Sequence, residues 1–269
     1  MKKLITAVSA IALTFSTAFT AFAAETADVY VTISDGSGKP VLAQEKITVT
    51  DTDSDGMLTI NDALFAAHEA NYNGGAAAGF ASGETEYGLS LNKLWGVENG
   101  GSYGYCVNNK SAMSLADTIS DGDYVSAYCY SDLTAWSDVY SWFDIDTTEI
   151  TVGGELALAL SYAGFDENWN PVTLFAADAV ITMNGEKTSY TTDAQGKVTI
   201  VFDKPGEYVL SAVSDSQTLV PPVCRVTVSA APEADGETAA PATGNSTNSI
   251  AAVTAIALAV AFLTKKNEK

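Results

Sequence analysis

The residues whose types and spacing best suit a defined chemistry are Asp51-Thr52-Asp53-Ser54-Asp55-Gly56-Met57-Leu58-Thr59-Ile60-Asn61-Asp62. Carboxylates fall at the first, third and fifth positions, glycine at the sixth, an apolar residue at the eighth and an acid at the twelfth. Ca²⁺ takes six to eight oxygens, and alternate positions of a tight loop can all turn toward one centre. Asp51, Asp53 and Asp55 would supply carboxylate oxygens, Met57 its backbone carbonyl and Thr59 an oxygen directly or through water. Asp62 would close the shell from one turn into a following helix. Gly56 permits the sharp turn. The alternative is an acidic turn in which Asp51 or Asp53 simply caps the helix.

Other chemistry has little to stand on. The chain has one histidine, His68, within a segment of helical period, where it reads as a surface polar residue. A nucleophile–base pair needs an oriented third group, and nothing places a serine beside His68. One histidine and three scattered cysteines make a poor zinc set. Acid pairs that could cleave glycosides arise by chance among 33 Asp and Glu, and "NGGAAAG" lacks a phosphate-loop lysine. We therefore expect no enzyme and no catalytic residues.

Apolar residues at Ile60, Leu64 and Ala67 predict a helix over "TINDALFAAHEANY", positioned by strands "DVYVTIS" and "KITVTD" before it. "NGGAAAGFASGET" reads as a loop. Strand candidates follow in "YGLSLNKLWG", "SYGYCVNN" and "DYVSAYCYS", so the first unit is α+β, one helix on a mixed sheet. From about Asp146 the helical signal disappears. Short strands punctuated by Asn184-Gly185, Asp193-Ala194-Gln195-Gly196 and Lys204-Pro205-Gly206 predict a β-sandwich. Trp136 and Trp142 are expected at the junction. Cys106, Cys129 and Cys224 are an odd number. Cys106 and Cys129 could bridge if their strands are neighbours of suitable geometry; otherwise all three are buried thiols.

The ends read as addresses. Met1-Lys2-Lys3, an apolar run to Phe22 and Ala21-Phe22-Ala23 fit a secretory signal peptide over residues 1–23. Near the other end, a polar linker over 231–249 carries Pro241-Ala242-Thr243-Gly244. A charge-free apolar membrane segment follows at 250–264 and a basic cytoplasmic tail at 265–269. Residues 1–23 and 244–269 hold five lysines and one glutamate, so without them the net charge moves from −20 to −24. Such a surface repels nucleic acid and anionic lipid and attracts cations.

Several stretches resemble known families. The Pro241–Gly244 motif with its apolar run and basic tail resembles the cell-wall sorting signal read by sortases, with Ala240 where leucine is usual. That resemblance implies a Gram-positive surface protein, cleaved between Thr243 and Gly244 and joined to a cell-wall precursor. The loop 51–62 resembles those of EF-hands and dockerins. Residues 147–230 resemble bacterial immunoglobulin-like surface domains. "VYVTIS", "ALFAAHEANY" and "SYGYCVNNKSAMSLADTISDGDYVSAYCY" resemble an extracellular family related to the transcobalamin C-terminal domain. This implies a β-grasp-like first domain over 24–146 that binds a cobalamin-like (corrinoid) or other flat soluble ligand. Trp95, Tyr103, Tyr105, Tyr128 and Tyr130 would line its ligand surface, aromatics offering large rigid faces. The expected function is thus a secreted, surface-anchored, calcium-stabilised binding protein. The alternative is a structural or adhesive protein with a macromolecular partner.

Overall fold

A computed structural model describes residues 26–231. The signal segment, the sorting motif Pro241–Gly244, the apolar run and the basic tail lie outside the described residues. No helix among the described residues is long and apolar enough to cross a membrane.

The first half contains β1 (Thr26–Ser34), β2 (Pro40–Thr50), α1 (Ile60–Asn71), α2 (Gly75–Gly79), β3 (Ala81–Thr85), β4 (Gly88–Lys93), β5 (Tyr103–Val107), β6 (Lys110–Ser111) and β7 (Tyr124–Cys129). Five of these strands form a mixed sheet in the order β2-β1-β7-β5-β6, with β1 and β7 parallel at its centre. Strand alternation sends Val29, Val31 and Ile33 of β1 and Val125, Ala127 and Cys129 of β7 to one face. There α1 lays down Ile60, Ala63, Leu64, Ala67 and His68, the i, i+3, i+4, i+7, i+8 stripe of a helix packed on a sheet. The segment expected as a loop after α1 instead folds into α2 and β3, and β3 pairs with β4 in the expected strand segment that follows. Gly79 allows that turn, since the ring of Tyr72 lies where a Cβ would stand.

The second half contains β8 (Val139–Phe143), β9 (Thr147–Thr151), β10 (Glu155–Phe165), β11 (Pro171–Phe175), β12 (Val180–Met183), β13 (Glu186–Thr191), β14 (Lys197–Val201), β15 (Gly206–Val213), β16 (Leu219–Val220) and β17 (Cys224–Ser229). One sheet runs β11-β10-β8-β16, with β14 also on β10; the other runs β13-β12-β15-β17-β9. Leu156, Leu158, Leu160, Val198 and Ile200 of the first sheet meet Ile181, Leu210, Val226 and Val228 of the second in one core, a β-sandwich. β8 pairs with β10 and β16 and so belongs to this sandwich, upstream of the boundary expected at residue 146. Its side chains alternate, Val139 and Phe143 toward the sandwich core and Tyr140 and Trp142 toward Tyr128 of β7, so both faces of the strand are covered.

That second contact is a third, smaller core. Tyr128 and Cys106, on the sheet face away from α1, pack with Tyr140, Trp142 and Val220. It explains why Thr32 and Ser34 of β1 are buried although they face away from the main core. All three cysteines are buried and unbridged. Burial pushes each thiol up to about 12.

Candidate metal loop and aromatic groove

The acidic loop leaves β2 directly and enters α1. Asp51 accepts from the backbone N–H of Ser54 (2.7 Å), Asp55 (3.3 Å) and Gly56 (2.9 Å), which winds the loop around its carboxylate. The Gly56 bond is the main reason the Asp51 carboxyl titrates below the usual carboxylate range. Asp53 shifts the other way, first through lost hydration and then through the charges of Asp55 and Asp62. Positive φ at Ser54 (63°) and Gly56 (87°) completes the turn. One oxygen each from Asp51, Asp53 and Asp55 lies within 4.8 Å of the others, close enough for one cation to bind all three. These residues fit a hard cation: three carboxylates have converged, and no ion pair among the described residues neutralises them.

Asp62 is placed differently from its expected closing role. It is fully buried at the third position of α1, in a reciprocal capping box with Thr59. Its Oδ2 accepts from the Thr59 N–H (3.0 Å) and hydroxyl (2.7 Å). Its Oδ1 accepts from the Thr52 N–H (2.9 Å) and hydroxyl. Four donors match the four lone-pair sites of a carboxylate. Asp62 therefore ties loop to helix, and the Thr59 hydroxyl is spent in the same network. Met57 is exposed.

The five aromatics expected on one ligand surface are divided by the sheet. Tyr103 and Tyr105 project toward the α1 side, where Trp95 also packs. The Tyr103 hydroxyl lies 2.9 Å from the carbonyls of both Asn92 and Val97, which share its one proton, and accepts from the Asn99 N–H. Trp95 shares a cluster with His68 and Tyr72. These three positions hold the first core together. Tyr128 and Tyr130 belong to the opposite side, with ring centroids 5.4 Å apart. Tyr128 lies across Gly104, its partner on β5, where a Cβ would collide with the ring.

His68 is fully buried, contrary to the surface position expected of it. Its Nδ1 lies 2.6 Å from the Leu64 carbonyl, and its Nε2 accepts the Trp95 N–H at 3.0 Å. Those partners select the neutral ring protonated on Nδ1. Burial lowers its pKa, against the weaker pull of the Leu64 carbonyl.

Beyond Tyr128 and Tyr130 an open groove of about 720 Å³ runs between the first sheet and the β10–β11 hairpin. Tyr140 and Trp142, stacked at 5.8 Å, line it with Phe165 from the sandwich side, and Tyr128 and Tyr130 line it from the first sheet, while Tyr162, opposite Ser141, packs on the sandwich core. Trp136 stands at the mouth, 60% exposed, with its Nε1 donating to the Ser102 hydroxyl. Trp142 thus sits at the junction as expected, whereas Trp136 faces solvent. No Lys or Arg lines the groove, and its one acid, Asp138, is occupied by Ser131 and Asp132. Sequence reading missed Tyr140 and Phe165. A usable signal was "YAGFDENWNP", where Phe165 and Trp169 flank a polar turn that alternation alone would keep apolar residues out of.

No protein-family model matches the chain, and no curated protein is similar to it by sequence. Among solved structures it is similar to the N-terminal four immunoglobulin domains of Dscam1 isoform 4.44, at 12% identity and a TM-score of 0.23, over 46% of this chain and 26% of that one. Isoform 9.44 gives 10% identity and the same TM-score and coverage. The tandem immunoglobulin repeats of Dlar give 11% identity and a TM-score of 0.22, over 57% of this chain and 91% of that one. The chain spans about a quarter of the Dscam1 structures it matches. Scores this low carry no argument, and the β-sandwich rests on its own strand pairing.

Proposed function

We propose that this chain is a secreted, surface-anchored binding protein. In this reading a β-grasp-like unit and an immunoglobulin-like sandwich hold between them a groove for a flat-faced soluble ligand. A calcium ion on Asp51, Asp53 and Asp55 stabilises the first unit; bound there, it would neutralise converging carboxylates and pin β2 to α1. The mixed sheet with its central parallel pair and single long helix supports the β-grasp-like assignment. The terminal segments support export and anchoring by sortase to the cell wall.

The observation that carries the reading is the groove, lined by Tyr128, Tyr130, Tyr140, Trp142 and Phe165 and fronted by exposed Trp136. Aromatic faces bind planar or ring-shaped ligands through area and stacking, and cations through their quadrupole. The negative surface favours neutral or cationic ligands over anions here. Corrinoids are the example that the first unit's sequence implies. Calorimetry of the chain against cobalamin and neutral oligosaccharides tests this reading. Binding weakened about tenfold by Trp136→Ala is expected, the loss of one hot-spot aromatic. No binding below the millimolar range, or no effect of that substitution, would count against it.

A second reading, adhesion to a macromolecular partner, is favoured by the β10–β11 hairpin. Phe165, Trp169 and Phe175 are exposed together there, beside the groove. Recovery of one stable protein or glycan partner that Trp169→Ala abolishes would select it.

A further inference from the structure

A separate cleft of about 420 Å³ opens between the β1–β2 turn and the outer face of the sheet containing β12, β13 and β15. Its chemistry is opposite to that of the molecule. Asp and Glu outnumber Lys and Arg 33 to 13 in the chain, yet the cleft is lined by Lys39 and Lys187 and by no acid.

The fold builds this lining from three strands. Lys187, Thr182 and Ser211 are direct cross-strand partners on β13, β12 and β15, so their side chains share one face. Val209 and Val213, two residues either side of Ser211, extend the same face as an apolar floor. Lys39 reaches over from the first half. Its Nζ lies 3.5 Å from where a Cβ would stand on Gly185, in the β12–β13 turn formed by Asn184 (φ 50°) and Gly185 (φ 82°). The ion pairs of the described residues are Lys46–Asp28, Lys93–Glu98 and Arg225–Glu45, and none uses Lys39 or Lys187. Thr182 and Ser211 are largely buried, 7% and 6% exposed, and both line the cleft.

We propose that this cleft binds a small organic carboxylate: its head group between the two ammonium groups, accepting from the Thr182 and Ser211 hydroxyls, and its apolar body on Val209 and Val213. The volume is that of a small-molecule site and leaves an apolar floor with no role for a bare anion. The net charge of −20 penalises a phosphate dianion more than a singly charged carboxylate.

Calorimetry of the full-length chain with hexanoate, hexanamide and inorganic phosphate as probes tests this. Hexanoate is expected to bind with a Kd of about 1 mM, in keeping with its few heavy atoms. Lys39→Ala and Lys187→Ala should each weaken it about tenfold. Both side chains are exposed, so the variants should melt as the parent does. Hexanamide and phosphate should give no heat. The proposal fails if hexanoate does not bind by about 10 mM, if it binds the double variant equally well, or if phosphate binds more tightly. A dimer in sedimentation that hexanoate does not disperse would mean a second chain fills the cleft, and would overturn it too. Trp136→Ala should leave hexanoate binding unchanged, separating this cleft from the aromatic groove.

Discussion

Cys106 and Cys129 lie on adjacent strands, β5 and β7, and on opposite faces of the sheet. In the ladder Cys129 stands opposite Tyr103, and Cys106 opposite Ser126, three residues away. An odd offset puts the two side chains on different faces. Cys129 points into the core under α1, and Cys106 into the aromatic cluster with Tyr128 and Tyr140. The sequence left a bridge open, and this register closes it. Native protein should therefore show no thiol reactive toward an aromatic disulfide reagent at pH 8, and three after denaturation. Mild oxidation should form no intramolecular bridge, as read by intact mass.

The loop separates metal dependence from helix capping. Chelation should lower the melting temperature of the parent, and Asp51→Ala should remove that difference. Asp62→Ala orphans the Thr59 and Thr52 donors and removes the cap. It should cost at least about 2 kcal/mol with or without calcium, measured by urea unfolding. Identical parent melts with and without chelator would count against the metal site.

His68 should make the fold acid-sensitive. Its folded pKa lies below the ordinary histidine value, so the unfolded chain takes up the proton first. Above about pH 6.5 both states are neutral and this term is silent. As pH falls below that value, stability should drop until the folded ring also protonates. Protonation would set an Nε2–H against the Trp95 N–H. His68→Gln should reduce the fall in melting temperature between pH 7 and pH 5, although the variant starts from a lower value.

In the sandwich, Gly196 holds φ at 70°, and a Cβ there would collide with the Leu160 carbonyl oxygen. Gly196→Ala should destabilise by about 3 kcal/mol in chemical denaturation. Gly122→Ala shares the positive φ but meets open space, and should cost less.

What the sequence by itself determined is local. Asp51, Asp53, Asp55 and Gly56 read as a turn of converging carboxylates because that geometry is made by neighbours in the chain. The apolar period over Ile60, Leu64 and Ala67 likewise read as α1, and the spaced turns after Asp146 as a β-rich second half. Facing and pairing were decided only by the tertiary structure. Tyr103 and Tyr128 look alike in a list of aromatics, but strand register sends one under α1 and the other to the junction. Asp62 looked like a ligand until Thr52 and Thr59 folded onto both its oxygens. His68 looked exposed until Phe80 and Trp95 closed over it. Lys39 and Lys187 stand 148 positions apart in the chain and line one cleft only because β12–β13 packs against the β1–β2 turn. Local spacing is set by bond geometry, whereas the partner of a side chain is set by packing between segments distant in sequence.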